Sequence, residues 1–300
     1  MIRASKQAFK KLAWRRYDVA RAYQRLRLGL AFSEERLPVV LLQMGKVGSR
    51  TVWRSLLDAE LDVPVWHLHY LSDEIIGRLE SLYRQTWPEG NAVHLWRCQF
   101  LREKLDRGLG GLKIITLTRD PVSRNISSFF ESCQFQPLER PGAYRVRSVD
   151  YDFEARISSD DLRPLTSLFL EQLDHETPLV FFDREFRAVL GIDVYSREFP
   201  KSKGYEIYRD RRADVLVIRL EDLANCAGEA MNAFLRLDDF KLINANVGRE
   251  KDYGPIYEQF KKSVRLPKSY LDEMYGSRYA QHFYTDAEIS AFRARWLEEG

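Results

Sequence analysis

Residues 39–56 read Val-Val-Leu-Leu-Gln-Met-Gly-Lys-Val-Gly-Ser-Arg-Thr-Val-Trp-Arg-Ser-Leu, a short apolar run that stops at a lysine between two glycines. Val39 to Leu42 are uninterrupted and half of them β-branched, as in a strand buried on both faces of a parallel sheet. Gly45 and Gly48 let the backbone turn with positive φ and approach a ligand closely. Ser49 or Thr51 is then placed to cap a helix in which Val52, Leu56 and Ala59 recur at helical spacing. Strand, glycine loop and helix start make an anion site, because unpaired N–H groups and the positive end of the helix dipole converge beside Lys46. The spacing differs from that of nucleotide hydrolases, which need Gly, four residues, then Gly-Lys-Ser/Thr. Here the lysine precedes the second glycine, and no Gly-Lys-Ser/Thr occurs.

Working outward, Val63 and Val65 begin a second strand ending near His67 and His69, and residues 72–85 read as a helix capped by Ser72 or Asp73. Asn91 to Trp96 reads as a third short strand containing His94, followed by a helix over 97–107 that ends at Gly108, Gly110 and Gly111. Lys113 to Thr118 is a fourth strand. It runs into Arg119-Asp120-Pro121, with Pro121 where the first helical turn tolerates it. Residues 134–165 lose clear periodicity and read as an excursion or lid. Asp183 to Leu190 reads as a short helix, Asp214 to Leu220 as a fifth strand, and the rest as mostly helical to Trp296. Alternating strands and helices predict a doubly wound α/β fold, a mainly parallel sheet of about five strands with helices on both faces and a ligand at its carboxyl edge.

Composition agrees with a folded enzyme-sized body, since 45% hydrophobic and 13% aromatic residues over 300 positions suffice for a large core. The net charge of +3 conceals an asymmetry. Residues 1–36 hold ten of the 47 Lys/Arg and three of the 44 Asp/Glu, net +7, which leaves 37 against 41, net −4. Residues 6–30 form a basic amphipathic pattern that either lies on an anionic membrane surface, binds a polyanion, or packs on the domain. A nucleic-acid partner is not expected, because no recognition motif accompanies the basic block. The division is therefore an N-terminal helical arm, 1–36, and one domain, 37–300. Cys98, Cys133 and Cys226 are too far apart in sequence for a disulfide framework or a zinc site. With no signal-peptide core and no spanning run, a cytoplasmic protein is expected, peripheral at the inner membrane face if the arm binds lipid.

Three motifs in order carry a resemblance. Lys46-Val47-Gly48-Ser49-Arg50-Thr51 resembles the 5′-phosphosulfate loop of sulfotransferases that use 3′-phosphoadenosine 5′-phosphosulfate (PAPS). Arg119-Asp120-Pro121 with Arg124, Ser127 and Ser128 resembles their 3′-phosphate motif, in which a strand-end arginine and a serine eight residues later grip the phosphate. Arginine suits that work through its fork of donors. Leu216 to Leu223 resembles the strand followed by Glu-Asp-Leu of the same superfamily, with Glu221 and Asp222 in structural roles. Asn246, Lys251, Tyr253, the Tyr257 to Phe260 region and the stretch from His282 to Ile289 resemble the branch of capsular polysaccharide synthesis proteins.

The resemblance implies a P-loop-like sulfotransferase that moves the sulfuryl group of PAPS to a carbohydrate hydroxyl, releases 3′,5′-bisphosphoadenosine and needs no metal. Lys46 would serve the leaving oxygen, N–H groups of residues 48–51 the 5′-phosphate, and Arg119, Ser127 and Ser128 the 3′-phosphate. A histidine has the pKa suited to removing the acceptor proton. His94, 25 residues ahead of Arg119, leads, with His67 and His69 as rivals. Two other classes share the architecture: a P-loop kinase using Mg-ATP, against which the missing Gly-Lys-Ser/Thr argues, and a non-catalytic glycan-binding or capsule-assembly protein.

Overall fold

The computed structural model describes residues 16–87, 92–140, 142–148, 151, 153–243 and 253–297. The chain enters through α1 (Tyr17–Ala31) and then alternates β1 (Val39–Leu42), α2 (Ser49–Asp58), β2 (Val65–Leu68), α3 (Asp73–Thr86), α4 (Val93–Asp106), β3 (Leu112–Thr118) and α5 (Pro121–Ser132). A small excursion follows, β4 (Cys133–Pro137), β5 (Ala143–Ser148) and β6 (Glu154–Ser158). It leads to α6 (Arg163–Gln172) and α7 (Thr177–Phe181), which continues as a π-helical segment, Phe182–Arg187, and a last turn, Ala188–Leu190. The hairpin of β7 (Tyr205–Arg209) and β8 (Ala213–Arg219) precedes α8 (Leu223–Leu235), α9 (Gly254–Ser263), α10 (Lys268–Gly276), α11 (Arg278–Phe283) and α12 (Asp286–Trp296).

The main sheet has the order β2-β1-β3-β8-β7, parallel except for β7, which lies antiparallel on β8. It is a mixed α/β fold with a mostly parallel five-stranded sheet. All four residues of β1 are buried, as are six of seven in β3 and in β8, which is why these strands are near-continuous apolar runs. The chain leaves β1 toward β2 on one side and returns to β3 on the other. In open α/β sheets, ligands bind outside the carboxyl ends of the strands at such a reversal.

One strand expectation is corrected, and the expected excursion gains a structure. The stretch read as a third strand is the start of α4, apart from Asn91, which lies outside the described residues. Leu95, Trp96, Cys98, Gln99, Phe100 and Leu101 are all buried there. A helix buried around most of its circumference has no polar face, so its apolar run imitates a strand. The fifth strand of the sheet is instead β7, whose Tyr205-Glu-Ile-Tyr-Arg alternates weakly at the sheet edge. Within 134–165 the described residues form the antiparallel sheet β4-β5-β6, fastened to α5 where Phe135 stacks on Phe130 with ring centroids 5.3 Å apart.

The expected cap of α3 is also replaced by another device. Ser72 holds the N-cap position but makes no side-chain cap bond. The carboxylate of Glu185, wholly buried on the π-helical segment, accepts from the N–H groups of Leu71 (2.5 Å) and Ser72 (2.8 Å) and from Ser72 Oγ (2.9 Å). A buried carboxylate is tolerated because it takes these donors and the Arg184 guanidinium at 3.2 Å. The connection that carries His69 out of β2 is thereby tied to a distant part of the chain.

Candidate functional site

The turn after β1 is left-handed at three of its four residues, with φ of 80° at Gly45, 59° at Lys46 and 79° at Gly48. Glycine adopts this region without cost, whereas Lys46 holds it at about 1 kcal/mol or more, a strain that proteins keep at functional sites. Gly48 is favoured by its positive φ, and a Cβ there would stand 2.5 Å from Leu220 Cδ1 and oblige that side chain to shift. The N-cap of α2 is Gly48 itself, without a side-chain cap; neither Ser49 nor Thr51 fills that role. Helix geometry leaves the first N–H groups of α2 without intrahelical acceptors. Thr51 is the exception within the expected cradle, since its N–H donates to Gly48 O at 3.1 Å in a tight first turn.

The junction of β3 and α5 closes on this turn with two arginines. Arg119 Nη1 donates to Lys46 O at 2.9 Å, and Arg124 Nη2 donates to Met44 O at 2.9 Å. Arg124 Nη1 also donates to Asn125 Oδ1 at 2.9 Å, and among the described residues neither guanidinium forms an ion pair. Burial pushes Arg124 down to about 10, the mark of a cation deprived of water and of a carboxylate. A desolvated positive charge under a turn of open N–H groups favours an anion above it.

Lys46 reaches a carboxylate. Its Nζ lies 2.9 Å from Glu131 Oε2, which also accepts from Tyr253 OH at 2.6 Å. Burial, with Glu131 adding to it, raises the Tyr253 phenol well above its ordinary value, so it stays a donor. Arg124 and Glu131 stand two turns apart on α5 and both reach the turn. Ser127 and Ser128 fall between them on the same helix face, half-buried and without a hydrogen-bond partner among the described residues. The structure thus brings together Lys46, Val47, Gly48, Ser49, Arg50, Thr51, Arg119, Ser127 and Ser128.

The histidines divide. His67, on β2, lies 3.1 Å from Ser49 Oγ through Nε2 and stacks on Trp53 at 6.0 Å. Burial first, then the neighbouring His69 and Arg50, pushes it down to about 4. His69 lies 4.9 Å from His67 between ring centroids; its Nδ1–H donates to Gln43 O at 3.0 Å, which leaves Nε2 as the acceptor. Burial lowers its pKa too, opposed by its bond to Gln43 O and assisted by His94, Lys46 and Arg50, so His94 on α4 lies within electrostatic reach of this histidine pair. His94 sits on α4, not on a strand, with its ring edge-on to Tyr83 at 5.7 Å. It therefore does not arrive at the site from the sheet's carboxyl edge as expected. His175 is fixed between Phe169 O at 2.8 Å and Tyr270 OH at 2.9 Å, and His282 packs against Phe283 at 4.7 Å.

The C-terminal helices hold the junction from behind. Tyr279 OH accepts from Arg119 N at 3.0 Å and donates to Arg119 O at 2.9 Å. Tyr275 OH donates to Asp120 Oδ1 at 2.8 Å, and Asp120 N donates to Glu221 Oε1 at 2.8 Å. Glu221 is thus structural, as expected, with burial raising its pKa. Asp222 occupies the N-cap position of α8 but turns its carboxylate to Arg219 at 2.5 Å. Glu131, Tyr275 and Tyr279 were missed in sequence. Glu131 had a signal, four residues after Ser127 on one helix face; the tyrosines, some 155–160 residues from their partners, had none. Asn246 and Lys251 lie outside the described residues.

Residues 165–285, which include Glu221, Tyr270, Tyr275 and Tyr279 but not the turn after β1 or Arg119, match a family model described as "Putative capsular polysaccharide synthesis protein". No curated protein and no solved structure matches the chain. Over that stretch the chain is similar to a family linked with capsular polysaccharide synthesis.

Proposed function

We propose that this protein is a P-loop-like, doubly wound sulfotransferase that transfers the sulfuryl group of PAPS to a hydroxyl of a cell-surface polysaccharide. The observation that carries the reading is the convergence of two anion grips. The left-handed turn of β1 and the Arg119/Arg124 junction of β3 meet at the carboxyl ends of these two neighbouring strands, Arg119 donating to Lys46 O in the turn and Arg124 to Met44 O just before it. The motifs of the turn and junction resemble the two phosphate grips of PAPS enzymes, and the match to a capsule-synthesis family supports a glycan as acceptor.

PAPS is the co-substrate and supplies an activated sulfuryl group with a phosphate as leaving group. The residues present fit such an anion. Gly45 and Gly48 let the turn adopt its left-handed path, and Arg124 is a buried cation without an ion-pair partner among the described residues. Lys46 neutralises charge developing at the leaving oxygen once it exchanges Glu131 for the anion. Arg119 and Ser127, with Ser128 beside it, hold the far phosphate. His67 is the base in this reading, in place of His94, because it ends β2 next to β1 and touches Ser49. It is neutral at pH 7 and so able to accept a proton, and a nearby anion raises its affinity for one.

The test is calorimetric titration with 3′,5′-bisphosphoadenosine in the absence of metal, against Mg-ATP, followed by a sulfate-transfer assay on capsular polysaccharide. Metal-free binding and transfer are expected. Binding of Mg-ATP with no binding of the bisphosphate would reassign the chain to the kinases.

A further inference from the structure

The basic pattern of the N-terminal arm is partly consumed by the fold. α1 docks on α3 and α4 through Tyr17 and Ala20, both buried, with Trp96 Nε1 donating to Tyr17 OH at 3.1 Å. Arg21 pairs with Glu80 at 2.8 Å and Arg25 with Glu103, so these two basic residues point into the domain. What the helix turns outward is apolar. Val19, Ala22, Leu26 and Leu30 are exposed, and Tyr23 half-exposed, at positions i, i+3, i+4, i+7 and i+11. Leu26 is 63% and Leu30 81% exposed. Three of the seven exposed large hydrophobic residues among those described fall on this one helix. With its inner face pinned, α1 cannot rotate to hide them.

We propose that the outer face of α1 docks the protein on an anionic lipid surface. Charge selects the occupant. Residues 1–16 carry six Lys/Arg and no Asp/Glu, and Arg27 stands beside the stripe with its guanidinium over Tyr23 at 5.9 Å. The one acid of α1, Asp18, is held by Arg84 at 2.7 Å. An apolar helix face flanked by lysine and arginine is the pattern of helices that lie in the interface of anionic membranes. The remainder of the chain is net −4, so the same surface repels it and the arm sets the orientation. This docking goes beyond the enzymatic reading and stands whether or not that reading does.

The test uses the full chain and co-sedimentation with vesicles of phosphatidylcholine containing phosphatidylglycerol, against phosphatidylcholine alone. Binding to the anionic vesicles only is expected, weakened by salt. Leu26→Ser with Leu30→Ser should reduce partitioning at least about tenfold. Lys6→Gln, Lys10→Gln and Lys11→Gln should each reduce it roughly fivefold. Nucleotide binding should be unchanged in all of them, which separates failure here from failure of the sulfotransferase reading. Equal partitioning of wild type and the leucine variant overturns the proposal, as does equal binding to neutral vesicles. So does a dimer in sedimentation velocity that the leucine variant dissolves, since a second copy then covers the face. A fall in the melting temperature of the leucine variant overturns it as well, because the face is then packed rather than free.

Discussion

Replacing Tyr279 with Phe removes one oxygen from the back of the site and leaves the ring in place. That oxygen accepts the N–H of Arg119 and donates to its C=O, at 3.0 and 2.9 Å, and the tyrosine is 1% exposed. Burial keeps the phenol protonated at all ordinary pH, so the donor is always available. Each bond is worth about 1 kcal/mol net, and stranding a buried partner adds about 1–3 kcal/mol. Arg119 is partly exposed, so water recovers some of this, and we expect a loss of about 2–4 kcal/mol. For a chain of this size a kilocalorie moves the midpoint by roughly 2 °C, so melting should fall by about 4–8 °C. Because the same bonds aim Arg119 at the turn, bisphosphoadenosine affinity should fall too, by less than in Arg119→Ala. Differential scanning calorimetry and isothermal titration measure the two effects. A midpoint within about 1 °C of wild type, together with unchanged affinity, would refute the view that the C-terminal helices hold the junction.

Four further outcomes follow from the site. Arg119→Ala should weaken 3′,5′-bisphosphoadenosine by roughly 10- to 150-fold, the worth of a charge-assisted contact, measured by titration calorimetry. Glu131→Gln should strengthen the same ligand several-fold, because it releases Lys46 from a competing carboxylate 2.9 Å away; weaker binding would contradict that role. His67→Ala should lower turnover by roughly 10²- to 10⁴-fold with little change in nucleotide affinity, while His94→Ala keeps near wild-type rates in the sulfate-transfer assay. Acid should destabilise the fold. His67 is depressed from 6.5 to about 4, so as pH falls through 6.5 the unfolded chain takes up a proton that the native state refuses. The loss grows to about 3 kcal/mol by pH 4 and then levels off, and denaturant titrations of His67→Gln should show a shallower slope between pH 6.5 and 4.

The glycine turn after β1 was legible because its chemistry is local. A strand, two glycines and a lysine within ten residues define a turn wherever they occur, and Gly45 and Gly48 do take the left-handed conformation foreseen for them. The ends of β2 and β3 were equally readable, with β2 closing at Leu68 between His67 and His69 and β3 at Thr118 just before Arg119. His94 was misplaced for a physical reason: α4 is buried on most sides, and periodicity cannot tell such a helix from a strand. The antiparallel β4-β5-β6 sheet escaped notice because short, half-exposed strands rich in arginine and glutamine show little alternation.

Sequence by itself determined the covalent order of strand, loop and helix, the charge asymmetry of the arm, and which residues could grip a phosphate. It could do so because φ preferences, helix dipoles and formal charges are properties of a few adjacent residues. Tertiary structure alone decided that Arg119 and Arg124 end on the carbonyls of Lys46 and Met44, more than 70 residues away. It also decided that Tyr279 holds Arg119, and that His67 touches Ser49 at the start of α2. The same holds for α1, whose basic pattern gave no hint that Arg21 and Arg25 would turn inward and leave leucines outside. Burial and pairing depend on which partners the fold brings across the sheet, and partners separated by long stretches of chain leave no mark on local composition.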